Sequence, residues 1–288
     1  MRLVVVYGIK TADYGYFSQF YPSRRINEEC EHRSIPLRFL FPRDVPSFLA
    51  ETALKPDIQH TVFLIRGLVA PAVVSLIENS GFRTINRGQS LILAGDKLLT
   101  ARFLEKNRWP TPATNRAEEA DAASFPLVAK PRFGSRGEGV RLVYTVDELK
   151  NLPENTIVQK FIESSAGRDL RFFFAGNVIL AIAAREGADG SFISNASAGG
   201  RMSLPPFPDE LLLPWKKMVH DIARASGLWY GSVDFLYLEC AEASEKTRSL
   251  LLTVCEINGS PGFEALERDC GLNIAGALID TILEDFVG

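Results

Sequence analysis

Val254-Cys255-Glu256-Ile257-Asn258-Gly259-Ser260-Pro261-Gly262 decides how this chain is read. The run from Leu250 to Cys255 is rich in strand formers, and the strand breaks at Gly259-Ser260-Pro261-Gly262. Residues two apart on a strand point the same way, so Glu256 and Asn258 offer two oxygen-bearing groups to one side. An earlier strand, Tyr230 to Leu238, carries Asp234 among Val233, Phe235 and Leu236, where a lone carboxylate is costly to bury. Any one of these residues is unremarkable at a sheet edge. Three hard oxygen ligands on neighbouring strands suit Mg²⁺, which takes few protein oxygens and completes its shell with phosphate and water.

Upstream, the front third alternates strand and helix. Leu3 to Tyr7, Leu37 to Phe41 and Val62 to Ile65 are expected strands, and Ala70 to Asn79 an expected helix. That alternation predicts a small α/β domain with a mainly parallel sheet. Ser90 to Asn107 reads as a helix interrupted near Gly95, and Trp109-Pro110-Thr111-Pro112 as a stiff connector. The middle third is strand-rich: Leu127 to Lys130, Val140 to Tyr144, Thr156 to Phe161, Leu170 to Ala175 and Val178 to Arg185. A short helix is expected near Val146 to Leu152 and a two-residue turn at Gly176-Asn177. Helices over Asp209 to Ser226 and Asn273 to Phe286 flank the two polar-bearing strands. The charged stretch Glu239 to Ser249 reads as a projecting hairpin extension.

Composition narrows the function classes. A chain of 288 residues with 46% hydrophobic content buries a substantial core. No run reaches the ~18 apolar residues of a membrane span, and the first strand is too short for a signal sequence. Cys30, Cys240, Cys255 and Cys270 form no CxxC pair, as expected of reduced thiols in a cytoplasmic protein. His32, His60 and His220 are scattered, which argues against a histidine-centred metal site or triad. Residues 1–110 carry 15 Lys+Arg against 10 Asp+Glu, the remainder 17 against 25. Eleven of the front cations are arginines, well shaped to clamp carboxylates and phosphates. No basic–aromatic interleaving points to nucleic acid.

The middle third holds a second candidate cluster. Lys130 ends an apolar strand, and Arg132-Phe133-Gly134-Ser135-Arg136-Gly137-Glu138-Gly139 follows it. Glycines let backbone N–H groups approach phosphate oxygens, and a nearby lysine adds a point charge. The loop lacks the GK[ST] ending of a Walker motif; taken alone it is an ordinary glycine hairpin. Lys160 and Phe161 end a strand whose edge backbone suits an adenine ring, and Asp169 suits ribose hydroxyls. Arg171 and Arg185 on the next two strands suit a phosphate or a developing acyl phosphate, although singly each reads as a surface ion-pair partner.

Lys97, Lys130, the Gly134–Gly139 loop, the Gln159–Ile162 hinge, Asp169, Arg171, Asp234, Glu256, Asn258 and the Ser260-Pro261-Gly262 ending together resemble the ATP-grasp ligases. The RimK-like branch, with its ribosomal-protein glutamate ligase and lysine-biosynthesis carrier ligases, is the nearest in pattern. The resemblance spans about residues 60 to 288; its most specific parts are Glu256 to Glu264 and Gly271 to Gly276. It implies an ATP-grasp fold combining α/β and α+β parts. Residues 1–110 would form an N-terminal parallel-sheet pre-ATP-grasp domain, 111–162 a small nucleotide-binding lobe and 163–288 a metal-bearing central lobe. ATP would be held by Lys97, Lys130, Gly134, Ser135, Gly137, Lys160, Phe161, Asp169, Ser194 and Asn195. Mg²⁺, two ions with Mn²⁺ able to substitute, would sit on Asp234, Glu256 and Asn258, with Arg171, Arg185 and Asn258 in catalysis. A carboxylate would attack the γ-phosphate, and an amine would displace phosphate from the acylphosphate to form an amide.

Lys160 stands where an acidic hinge residue is frequent, and Ile193 where relatives often carry arginine, which bears on the substrate more than on the nucleotide. Arg66, at the end of Val62-Phe63-Leu64-Ile65, is the candidate for an anionic substrate group, because ligands in open α/β sheets bind at that strand edge. The competing readings are an ATP-binding module without ligase chemistry and a kinase-like phosphotransferase on the same scaffold. Substrate identity and homo-oligomerisation stay open at this level.

Overall fold

A computed structural model describes residues 1–9, 13–52, 58–120, 125–134, 137–188, 191–192, 194, 200–238 and 250–287. The 239–249 extension, Ser135, Arg136, Ile193 and Asn195 lie outside the described residues. The front of the chain runs β1 (Arg2–Gly8), α1 (Tyr16–Gln19), α2 (Tyr21–His32), β2 (Leu37–Leu40), α3 (Val45–Thr52), β3 (Thr61–Gly67), α4 (Pro71–Asn79), β4 (Arg83–Ile85), α5 (Gly88–Gly95) and α6 (Lys97–Lys106). Its sheet has the order β2-β1-β3-β4, and every pairing is parallel. β1 and β3 read as near-continuous apolar runs because both of their faces are covered.

A small antiparallel sheet follows, ordered β5-β8-β6-β7, from β5 (Thr114–Arg116), β6 (Leu127–Pro131), β7 (Arg141–Val143) and β8 (Thr156–Lys160), with α7 (Val146–Lys150) before β8. The last sheet is ordered β11-β10-β9-β12-β13, from β9 (Arg168–Ala175), β10 (Val178–Glu186), β11 (Arg201–Ser203), β12 (Tyr230–Tyr237) and β13 (Leu252–Asn258). The helices here are α8 (Asp209–Ser226), α9 (Glu264–Cys270) and α10 (Ile274–Val287). The β9–β10 turn is the expected one: Gly176 has φ +52, and a Cβ there would meet Asp285 Oδ2 at 2.5 Å.

β9 shows how the central sheet is buried. Phe172, Phe173 and Phe174 are all fully buried although successive side chains point to opposite faces. Phe172 and Phe174 pack with Leu212, Val219 and Ile222 of α8. Phe173 packs on the other side with Leu278 and Ile282 of α10, in a cluster that also takes Leu3, Val5 and Leu64 of the front sheet. Each phenyl contributes roughly 1.5–3 kcal/mol of burial. The front and central sheets therefore share one core. The Trp109–Pro112 connector is likewise fastened: the Val254 N–H donates to Pro110 O at 2.7 Å, and Thr111 Oγ1 donates to Val254 O at 2.9 Å.

Helix α2 has no strong apolar stripe and escaped the reading of the sequence. It is held by its own i,i+4 pairs, Arg24–Glu28 and Arg25–Glu29, and by Arg25 and Tyr21 reaching Glu267 of α9. The break expected at Gly95 is present. Asp96 caps α6 by accepting from Leu98 N and Leu99 N, and it also takes a bidentate pair from Arg132, which follows β6. Burial works against this carboxylate's charge, but Arg132 and the two amides hold its pKa below the ordinary value.

Because the folded pKa of Asp96 is depressed, its contribution is present above the unfolded carboxylate range near 4 and is lost as pH falls through the lower folded value. Asp96→Asn keeps a capping oxygen but loses the charged pair, at a cost of about 1.5–3 kcal/mol. Asp96→Ala loses the cap as well, a further ~1 kcal/mol. Urea unfolding at pH 7 should rank wild type above Asn above Ala; equal midpoints would show that the tie carries no stability.

Candidate active site

A cleft of about 910 Å³, counting space continuous with solvent, opens between the small sheet and the central sheet. Lys130 enters it from the end of β6. Its Nζ donates to Gln159 Oε1 at 2.7 Å and lies 3.5 Å from Cys255 Sγ. Burial opposes the ammonium charge, but Cys255, Glu256 and Asp234 hold its pKa above the ordinary lysine value. Lys97, at the first position of α6, donates from Nζ to Gly134 O at 2.7 Å. Gly134, Gly137, Lys160, Phe161 and Ile162 complete this wall.

The opposite wall is a row of paired charges. Asp234 is registered with Arg171 on one side and Glu256 on the other, and Arg185 with Asp169. Arg171 Nε donates to Asp234 Oδ1 at 2.7 Å, and Arg185 Nη2 donates to Asp234 Oδ2 at 2.7 Å. Arg185 also donates to both oxygens of Asp169, which accepts from Ser194 Oγ as well. Asp234 is 2% exposed. Its burial opposes ionisation, yet the two guanidiniums win and its pKa is lowered. For Asp169 burial prevails over Arg185, and its pKa is raised.

Strand alternation explains most of this face. Asp169 and Arg171 share a side of β9, the side that turns apolar further along at Phe173. Cys255 is the exception, since it lines the cleft next to Glu256. Glu256 pairs with Asp234 and Val254 with Phe235, so Cys255 is the extra residue of a β-bulge. No pattern in the sequence announces such a bulge, and Cys255 was missed for that reason.

Asn258 donates from Nδ2 to Glu256 Oε1 at 3.2 Å, as expected for residues two apart. Among the described residues no three His, Cys, Asp or Glu side chains converge on a metal. The set is two carboxylates and one amide, all oxygen ligands suited to a hard cation. Glu256, 27% exposed at the side chain, accepts from Asn258 and lies 4.0 Å from Arg171 Nη2, whereas Asp234 serves two arginines at hydrogen-bonding distance. The set fits Mg²⁺ provided Arg171 shares or releases Asp234. Asp169 is similarly engaged, so a ribose hydroxyl would join existing partners rather than meet a free acceptor.

Arg66 requires a correction. It ends β3 as expected, but its side chain is 1% exposed and lies outside the cleft lining. Its guanidinium sits 5.9, 5.3 and 5.4 Å from the rings of Tyr7, Tyr230 and Phe263 and donates to Pro261 O at 3.0 Å. Enclosed by three rings and a carbonyl, it does not present a cation to an incoming substrate.

Residues 94–282 match the RimK-like ATP-grasp domain. A probable alpha-L-glutamate ligase of Vibrio cholerae serotype O1 is 27% identical over 294 residues, covering 92% of each chain. Among solved structures, the D-alanine–D-alanine ligase of Bacillus anthracis complexed with ATP superposes with a TM-score of 0.70 at 20% identity, over 100% of this chain and 97% of the other. The ATP-grasp ligase PsnB, complexed with a precursor peptide and AMPPNP, gives 0.66 at 16% identity, over 99% and 97%. With that fold, that domain match and a cleft walled by lysines on one side and paired carboxylates on the other, the chain belongs to the RimK-like ATP-grasp family of ATP-dependent carboxylate–amine ligases.

Proposed function

We propose that the cleft activates a substrate carboxylate as an acylphosphate and passes the acyl group to an α-amino acid, releasing ADP and phosphate. The observation that carries this reading is the convergence of Lys97, Lys130 and Arg185 with Asp234 and Glu256 on one cleft. Carboxylate and ATP repel one another, and fixed cations on the reacting centre offset that repulsion. Adenine is assigned to the backbone of Lys160–Ile162, the ribose to Asp169, and the phosphates to Lys97, Lys130 and the glycine loop. Asp234, Glu256 and Asn258 would hold Mg²⁺, which supplies neutralisation of phosphate charge when bound. Arg185, which donates to Asp169 and Asp234, is assigned to the negative charge that develops on the reacting phosphoryl and acyl groups.

Glutamate is the proposed amine, which accepts the acyl group, and a peptide or protein carboxylate the proposed acyl donor, a reading supported by the name of the Vibrio cholerae relative and by the peptide complex of PsnB. A cytoplasmic setting is supported by the free thiols of Cys30, Cys255 and Cys270. The three sheets are proposed to act as the front domain, small lobe and central lobe. Among the described residues no helix is long and apolar enough to cross a membrane.

Substrates are tested by ADP release across pairs of amino acids, peptides and dicarboxylates, with products identified by mass. Stoichiometric AMP and pyrophosphate would remove the acylphosphate route. Glu256→Gln should lower kcat by about 10²-fold or more while leaving the unfolding midpoint near wild type, since the amide is nearly isosteric. Wild-type turnover at ordinary Mg²⁺ would place the metal elsewhere.

The loop from Gly134 to Gly139 should exchange amide hydrogens rapidly in the free protein and slow on adding Mg²⁺ with a non-hydrolysable ATP analogue. Three glycines and an exposed Phe133 leave it few apolar anchors of its own. Exchange that ignores the nucleotide would detach the loop from the phosphate site.

A further inference from the structure

Gly259, Ser260 and Pro261, which follow directly on Asn258, are each gripped by the C-terminal edge of the front sheet. Asn86, just past β4, donates from Nδ2 to Gly259 O at 2.8 Å. Gly67, the last residue of β3, donates from its N–H to Ser260 Oγ at 3.0 Å. Its neighbour Arg66 donates to Pro261 O, which also accepts from Tyr230 Oη at 3.2 Å. Three successive residues thus meet three front-sheet residues.

Asn86 does more than hold the turn. It is 1% exposed, and its Nδ2 also donates to Tyr230 O at 2.6 Å. Its Oδ1 accepts from Trp229 N at 2.7 Å and Tyr230 N at 2.9 Å. Two donors and two lone pairs are the whole capacity of an amide side chain, and all four are used. Tyr230 begins β12, four residues before Asp234, and Gly259 directly follows β13, three residues after Glu256. One side chain therefore fastens the roots of both strands that carry the proposed metal ligands. A shorter residue would leave buried backbone N–H and C=O groups unpaired, which is costlier than losing an exposed bond.

We propose that Asn86 is a positioning residue for the ligase reaction: the front sheet, through Asn86 and the 259–261 turn, sets the separation of Asp234 from Glu256 and Asn258. The proposal rests on the reading of those three side chains as the Mg²⁺ set. It gives the Ser-Pro-Gly ending and Arg66 a mechanical role, and it makes the front sheet part of the metal site's geometry without touching the metal.

The test uses the full chain with Asn86→Ser, with Ser260→Ala as a milder cut of the same tie should Asn86→Ser fold poorly. Arg33→Ala serves as the control, since it removes an interlobe pair to Asp280 of α10 that has no bond to β12 or β13. Amide exchange is read first, with neither nucleotide nor Mg²⁺ present. Residues 230–236 and 254–262 should exchange on the order of tenfold faster in the Asn86 and Ser260 variants, as for one or two lost hydrogen bonds, and unchanged in the control. Kinetics are read second. The Mg²⁺ concentration for half-maximal rate should rise several-fold and kcat fall about tenfold, with the KM for ATP nearly constant. A merely structural defect would lower the active fraction without moving the Mg²⁺ response. Unchanged exchange over both segments would overturn the positioning role itself. Faster exchange with an unmoved Mg²⁺ response would overturn the metal assignment beneath it. An equal Mg²⁺ shift in Arg33→Ala would reduce the effect to general loosening and defeat the proposal.

Discussion

The burial of Asp234 between Arg171 and Arg185 is the constraint on which the rest of the structure turns. A carboxylate 2% exposed in the middle of a five-stranded sheet survives only because two guanidiniums meet it at hydrogen-bonding distance. Removing one partner of such a pair strands the other, at a cost of about 3–5 kcal/mol. The pairs therefore bind β9, β10 and β12 in register at the end where the sheet faces the cleft. The same strands are held at their other end, and on their other face, by phenyl packing. One sheet accommodates a charged end and an apolar end because the charges cancel across neighbouring strands.

That arrangement also frames the chemistry. In the free protein the arginines are occupied with protein carboxylates, and a phosphate or acyl phosphate would compete for them with the advantage of greater charge. The lysines on the facing wall are similarly engaged, Lys130 with Gln159 and Lys97 with the Gly134 carbonyl. Lys97, Lys130 and Arg185 are thus oriented before any ligand arrives, which limits the reorganisation that binding requires. The bulge at Cys255 turns a small, soft side chain into the cleft beside the Lys130 ammonium, where a longer residue would crowd it.

The front sheet is joined to the central sheet by more than a connector. Leu3, Val5 and Leu64 share a cluster with Phe173 and the α10 leucines, α2 is tied to α9 through Glu267, and Leu104 of α6 enters the core beneath β9. Asn273, within the Gly271–Gly276 part of the sequence resemblance, and Glu267 of α9 serve here as acceptors for Arg25. Domain and lobe are useful words for the chain's order, but the packing makes the front and central parts one body.

Local pattern carried a large share of this protein. The apolar runs of β1, β3 and β9 were legible because both of their faces are buried, and the stripe of α8 because the side-chain period fixes which residues share a face. Glu256 and Asn258 were legible as a pair for the same reason. Helices α2 and α9 were not, since their buried faces mix Ile26, Cys30 and Leu266 with the polar Ser23, Glu29 and Glu267. The true place of Arg66, the engagement of Asp234 and Asp169 by arginines, the bulge at Cys255 and the four bonds of Asn86 were decided only by tertiary structure. Each depends on which residues arrive from elsewhere in the chain, 16 to 195 positions away, or on a one-residue slip in pairing. A strand's own sequence records which of its faces is buried, but not the partner that lies across it.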